Sequence, residues 1–306
     1  MLIFFSELNI LKSCYNSYRK QERSDNMPSN EPVVVDSTSI RPLINENESQ
    51  IIFQRHCNYD RTNGGLIPES VDYQCSIVTS FINELKNSLT LEELRNTYFL
   101  FDSSNTISRG DFKRCVETTN IAMNVIRKFF EENGIPLNHI INLNEDLNYN
   151  SSVRENKHLT EPKMFTDSTG YFEYLKEKHD GINKNFWIDF ESDLSKEKRL
   201  ELNSEGPDEI VNRVVRYVNV LQRYAKYFHS KFPNSRLIIW GGTHYDLISP
   251  LVKQKVLDYD KSDIVNVEYC GGLSFLIDES NDITINVNGI TYPFDSQYSK
   301  QPHRRF

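Results

Sequence analysis

A chain of 306 residues with 38% hydrophobic content is long enough to bury a sizeable core, as one large domain or two small ones. Its formal net charge of -8 argues against a nucleic-acid groove or an anionic membrane as the main partner, because either would select a net basic face. Five dispersed cysteines (Cys14, Cys57, Cys75, Cys115 and Cys270) contain no C-x-x-C pair, so reduced thiols in a cytoplasmic setting are expected and a zinc site is not.

Met1 to Leu11 is apolar, but Glu7 interrupts it and it has neither a basic leader nor a small-residue cleavage site, so no signal peptide is expected. No apolar run approaches the roughly 20 residues of a membrane span. From Ser13 to Ser49 the chain is rich in Ser, Asn, Glu and Pro, too polar to offset its ordering entropy, and residues 1–49 read as a largely disordered tail. Ile51 to Gln54 is then an apolar strand that stops at Arg55-His56 and enters the polar loop Cys57 to Gly65. Pro68-Glu69-Ser70 opens a helix with Val71, Ile77, Val78, Phe81 and Leu85 on one face. After a short connector ending at Arg95, Asn96 to Asp102 predicts a second strand, followed by a loop and a helix from Asp111 to Asn133 with Arg114 in its first turn.

Gly134-Ile135-Pro136 stops that helix. A short apolar piece, Ile140 to Leu143, ends in Asn144-Glu145-Asp146. To about Pro207 the chain is polar with aromatic islands, and so long an irregular excursion reads as a functional cap insertion over about 146–207. Glu209 to Lys231 predicts a long helix, with Ile210, Val214, Tyr217, Val218, Leu221 and Tyr224 as its buried stripe. It feeds the run Arg236 to Thr243, which breaks at glycines and delivers His244 ahead of a helical segment, Tyr245 to Val256. Three further strands follow, at Ile264 to Val267, Leu273 to Ile277 and Ile283 to Val287, with Asn288-Gly289 as a turn. If the runs before His56 and His244 are neighbours in one parallel sheet, both histidines lie on its carboxyl rim, where open α/β folds hold ligands.

Arg55-His56, Lys113 to Thr118, Leu143-Asn144-Glu145 and Thr243-His244 before Asp246 to Ser249 resemble, in order and spacing, the histidine phosphatase superfamily, the phosphoglycerate mutase-like group. The likeness covers about residues 50–290, and Pro207 to Arg213 resembles the start of that family's helix before the second histidine. It implies an α/β three-layer sandwich over 50–300, a mostly parallel central sheet with helices on both faces, and phosphoryl transfer through a phosphohistidine without metal or cofactor. It further implies His56 as nucleophile, Arg55 and Arg114 on phosphate oxygens, His244 completing the pocket and Glu145 supplying the proton. Beside the resemblance, the charge of Arg61 in the loop after His56 is expected to make a further phosphate contact. Cys57 stands where the family usually has glycine.

The charges suit that chemistry, because two guanidiniums and an imidazole converging on one point stabilise a phosphoryl group in flight. Blander readings exist for each: Arg109 rivals Arg114, Asp146 rivals Glu145, and a lone strand-end histidine is usually structural. A cysteine-phosphatase reading fails, since it needs an arginine six positions after Cys57 and that position is Asn63. No histidine pair has metal-ligand spacing. The expected function is hydrolysis of phosphomonoesters on a small molecule or phosphoprotein; a phosphoglycerate mutase-type transferase and a non-catalytic phosphate-binding module are the alternatives, and a homodimer is left open.

Overall fold

The computed structural model describes residues 33–107, 112–141, 153–166, 170–257 and 265–296. The strands in these residues are β1 (Val34–Val35), β2 (Ser49–Arg55), β3 (Thr97–Ser103), β4 (Arg154–Glu155), β5 (Arg236–Thr243), β6 (Asn266–Val267), β7 (Gly272–Ile277), β8 (Ile283–Val287) and β9 (Ile290–Pro293). The helices are α1 (Pro68–Ser88), α2 (Leu91–Arg95), α3 (Arg114–Asn133), α4 (Lys163–Thr166), α5 (Tyr171–Lys178), α6 (Lys184–Ser192), α7 (Lys196–Glu201), α8 (Pro207–Lys231) and α9 (Tyr245–Lys255).

Seven strands form one sheet in the order β4-β3-β5-β2-β7-β8-β9. β4, β3, β5 and β2 pair in parallel, and β7, β8 and β9 extend the β2 side antiparallel. Period-two alternation along the central strands divides the interior into two cores. Ile51, Phe53, Leu100, Leu237 and Ile239 point into one, covered by α8, α9 and the aromatic helices α5 and α6. Ile52, Phe99, Phe101, Ile238 and Trp240 point into the other, covered by α1 and α3. The result is the expected sandwich of helices, sheet and helices.

The helix ends follow local chemistry. Thr90 and Glu93 make a reciprocal capping box on α2, and Gly134, at φ 63°, ends α3 in the left-handed region where glycine has no Cβ penalty. Asn288 and Gly289, both at positive φ, make the tight turn from β8 to β9 that their sequence predicts.

Two expectations change. Residues 33–49 are not part of a tail: β1 pairs with β6, and Val35, Ile40 and Ile44 are buried in the two cores. Their polar neighbours hid those three anchors. The glycines do not break β5. The strand runs through Gly241 and Gly242, and a Cβ at Gly242 would stand 2.2 Å from Thr119 Oγ1 and 2.8 Å from the Cys115 carbonyl oxygen, so its bare backbone lets α3 lie close against the sheet.

Within the expected insertion the described residues include α4 to α7, and the rings of α4, α5 and α6 pack together: Phe165 on Phe172 and Phe190, and Phe186 on Phe172 and Trp187. Trp187 meets Tyr245 of α9 edge-on at 5.0 Å between ring centroids. The insertion therefore shares the core of the domain beneath it.

Candidate active site

The register of the sheet decides which residues meet. In the parallel pairing of β2 with β5, Arg55 stands opposite Thr243, so the next residues, His56 and His244, emerge side by side. On the other side of β5, Ser103 stands opposite Gly242, which brings Ser104 to the same rim. After β2 the chain turns toward α1 on one face, and after β5 toward α9 on the other. The two exits diverge at the carboxyl ends of the strands, the place where open α/β folds hold ligands.

The His56 and His244 rings lie 5.3 Å apart, and both residues are almost wholly buried. The Nδ1–H of His56 donates to its neighbour's Cys57 carbonyl at 2.8 Å, which leaves Nε2 as the lone-pair nitrogen. Burial, and then the charges of Arg114, His244 and Arg55, pushes the His56 pKa well below the usual histidine value, so the ring is neutral at pH 7. A neutral imidazole with a fixed tautomer is a nucleophile.

Arg114 is the first residue of α3. Its Nη2 lies 2.5 Å from Glu161 Oε1, and its guanidinium rests over the Tyr59 ring at 4.4 Å. Burial works to lower its pKa, and Glu161, with Tyr59, Cys115 and Asp246 behind it, outweighs that, so the charge is firmly held. Arg55 lies over the Tyr269 ring at 3.8 Å, and its Nη1 donates to the Val267 carbonyl. Its buried Nε has no protein partner. Both phosphate-binding candidates thus have an aromatic ring under the flat face of the guanidinium, which leaves N–H edges for a ligand.

Two acids that spacing did not single out join them. Glu161 Oε1 is 3.1 Å from His244 Nδ1, at ion-pair distance though off the line of a hydrogen bond. Burial would raise the Glu161 pKa, but His244 and Arg114 together bring it down to about 2. Asp246, in the first turn of α9, is 5% exposed with an unpartnered Oδ1. Burial and the Glu161 charge drive its pKa far up, against the pull of Arg114, Arg213 and Arg55. The other side of the His244 ring faces Ser104 Oγ at 2.9 Å and Cys115 Sγ at 3.2 Å. Burial lowers the His244 pKa, and Glu161 opposes that.

Of the residues named from the sequence, Arg55, His56, Arg114 and His244 come together. Arg61 does not join them; it is exposed on the turn that Gly64 closes by donating to the Asp60 carbonyl. Glu145 lies outside the described residues. Glu161 was missed because it follows a 3-10 turn, Lys157–Leu159, in a stretch with no periodicity to read. The expectation of free thiols also changes: Cys57 and Cys270 form a disulfide, with Cα atoms 4.7 Å apart and 213 residues between them in sequence. It fastens the residue after His56 to the turn that carries Tyr269.

No family model matches the sequence, and no curated protein does. Among solved structures the chain is similar to a phosphoglycerate mutase from Bacillus anthracis str. Sterne, at 13% identity over 83% of this chain and 96% of that one, with a TM-score of 0.43. It is similar also to the mycobacterial glucosyl-3-phosphoglycerate phosphatase, at 12% identity over 78% and 97%, with a TM-score of 0.42. Both neighbours are members of the histidine phosphatase superfamily, the group whose motifs the sequence resembles. At 11–13% identity the likeness does not extend to what these proteins act on.

Proposed function

We propose that this protein is a phosphatase of phosphomonoesters that works through a phosphohistidine at His56. The observation that carries the reading is the His56 ring itself: neutral, fixed in tautomer by the Cys57 carbonyl, and gathered with Arg55, Arg114 and His244 at one rim. The N–H edges of Arg55 and Arg114 and the His244 ring bind the phosphoryl oxygens. The Nε2 lone pair of His56 attacks phosphorus, the P–N bond forms, and the ester P–O bond breaks toward the leaving alkoxide. That alkoxide needs a proton.

Glu161 is the donor the geometry favours. It is ionised at rest because Arg114 and His244 hold it so. An incoming phosphate takes over Arg114 and sets negative charge beside the carboxyl, and both changes raise its pKa. A substrate arriving as the monoanion brings the proton with it. In the second half, water attacks the phosphohistidine, Glu161 takes the water proton, and the P–N bond electrons return to Nε2. Charge on the phosphoryl group is met by arginine and histidine, so chelators should leave turnover intact. A buried disulfide beside the nucleophile fits an oxidising compartment better than the cytoplasmic setting expected from composition.

Rapid quenching during turnover of an aryl phosphate should trap phosphate in an acid-labile, alkali-stable linkage that His56→Ala removes. Transfer of the trapped phosphate back onto the substrate skeleton would identify a mutase. Binding without any trapped phosphate would identify a non-catalytic module.

A further inference from the structure

Glu161 sits on an irregular loop, and irregular loops do not hold a carboxylate to a fraction of an ångström unless something outside them does. Arg213, on α8, reaches that loop. Its Nη1 lies within donating distance of three carbonyls of the loop, those of Lys157 at 3.0 Å, His158 at 3.3 Å and Thr160 at 2.9 Å. Its Nε and Nη2 donate to the two oxygens of Glu205, each at 3.0 Å. These carbonyls lie along the end of the 3-10 turn Lys157–Leu159, where that of Lys157 also accepts the Thr160 backbone N–H. One residue beyond the last of them is Glu161.

Arg114 and His244 meet the Glu161 carboxylate itself, and the other ties on the loop backbone are neutral. Thr243 Oγ1 donates to the Leu159 carbonyl at 2.9 Å, and the Glu161 backbone N–H donates to Thr106 Oγ1 at 3.1 Å. Arg213 alone among the backbone ties brings a charge and a rigid fork. A lysine could not meet Glu205 with two parallel bonds and still direct a third nitrogen at the loop. Stability is a poor account of the arrangement: partial burial raises the Glu205 pKa even with Arg213 beside it, and a half-buried pair of that kind gains little for the fold.

From these contacts we infer that Arg213 is a positioning residue, which sets where the Glu161 carboxylate stands against Arg114 and His244 without itself touching the reacting atoms. The inference rests on the phosphatase reading only for its kinetic consequence. Its geometric part concerns a pair, Glu161 and His244, that can be watched without turnover.

The watching group is the His244 imidazole. It is faced by Glu161 from the loop, Arg114 and Cys115 from α3, Arg55 and His56 from the end of β2, and Ser104 from the end of β3. Of these Glu161 raises its pKa, so removing or displacing that carboxylate must lower it. Titration of labelled histidines by NMR in the full chain should give His244 a lower pKa in Glu161→Gln than in the wild type. Arg213→Ala should reproduce most of that drop, and Glu205→Gln, which loosens the fork but keeps the guanidinium, a smaller part of it. In turnover, Arg213→Ala should lower kcat for an alkyl phosphate by about 10–100-fold, the scale expected of a misplaced catalytic group. An aryl phosphate, with a leaving group that needs little protonation, should lose less than about threefold. KM should hardly move.

If His244 titrates in Arg213→Ala as it does in the wild type, the inference is overturned. Equal losses on both substrates overturn it too, because they signify general loosening. Should Arg213→Ala fail to fold, Arg213→Lys and Glu205→Gln carry the same titration. A wild type that traps no phosphate while Arg213→Ala still shifts His244 would sink the phosphatase reading and leave the positioning role standing.

Discussion

Glu161 shows how one side chain can be held for two tasks. With its pKa at about 2 in the fold, against about 4.3 for an unperturbed glutamate, it stabilises the native state wherever it is ionised there and would be so in the unfolded chain as well. That contribution is complete above about pH 4.3 and is lost as pH falls toward 2. Glu161→Gln should therefore lower Tm at pH 6–8, and the gap from the wild type should close in scans run from pH 4 down to pH 2. The same variant should slow alkyl phosphates by roughly 10²–10⁴-fold, the usual worth of general acid catalysis, and spare activated aryl phosphates. If only Glu145→Gln shows that selective loss, the donor is Glu145 and Glu161 serves to orient His244. Asp246 moves the opposite way: burial makes its charge costly, so Asp246→Asn should raise Tm at neutral pH, and a fall there would refute the account of its environment.

At the scale of elements, the nucleophile is held by strand ends. Gln54 and Gln74 exchange amide hydrogen bonds at 2.7 and 2.9 Å, and Trp240 Nε1 donates to the same Gln54 oxygen at 2.9 Å, which joins β2, α1 and β5 beneath His56. Gln54 Nε2 also reaches the Cys270 carbonyl at 2.9 Å, beside the disulfide that closes the Cys57 loop onto the turn before β7. A cross-link spanning 213 residues removes much freedom from the unfolded chain. The double variant Cys57→Ser, Cys270→Ser should lose about 2–5 kcal/mol in non-reducing denaturant titrations. Because the same turn carries Tyr269 under Arg55, KM for phosphomonoesters should rise in that variant as well. An unchanged midpoint, or no extra thiols released from denatured wild type on reduction, would show that the two cysteines are not joined.

Across the whole molecule, the antiparallel strands β7 to β9 and residues 33–48 complete the side of the sheet away from β4. Val35, Ile40 and Ile44 each fill core space, and Gln50 holds the segment by bonding to the Arg41 carbonyl and the Leu43 amide. A chain that begins at Ser49 should be less stable than one that begins at Val33 by more than the about 2–5 kcal/mol that truncating a single buried isoleucine costs. Equal denaturant midpoints for the two would return residues 33–48 to the tail. Among the described residues no helix is long and apolar enough to cross a membrane.

What the sequence determined alone was whatever local periodicity encodes. Apolar runs bounded by turn residues predict β2, β3, β5, β7 and β8 to within a residue or two. The stripe from Ile210 to Tyr224 predicts α8, and strand ends bearing Arg55-His56 and His244 predict the rim of the site. Arg114 was legible because a first-turn position on a helix that follows a strand points to that rim. Tertiary structure decided the rest, because it depends on contacts between residues far apart in the chain. Arg154 and Glu155 become a strand through Asp102, 52 positions away from Arg154. Cys57 finds Cys270, and Val35 finds β6, without any shared local pattern. Glu161 enters the pocket from a polar loop because Thr106, Thr243 and Arg213 fold that loop inward, and no spacing within residues 153–166 carries that information.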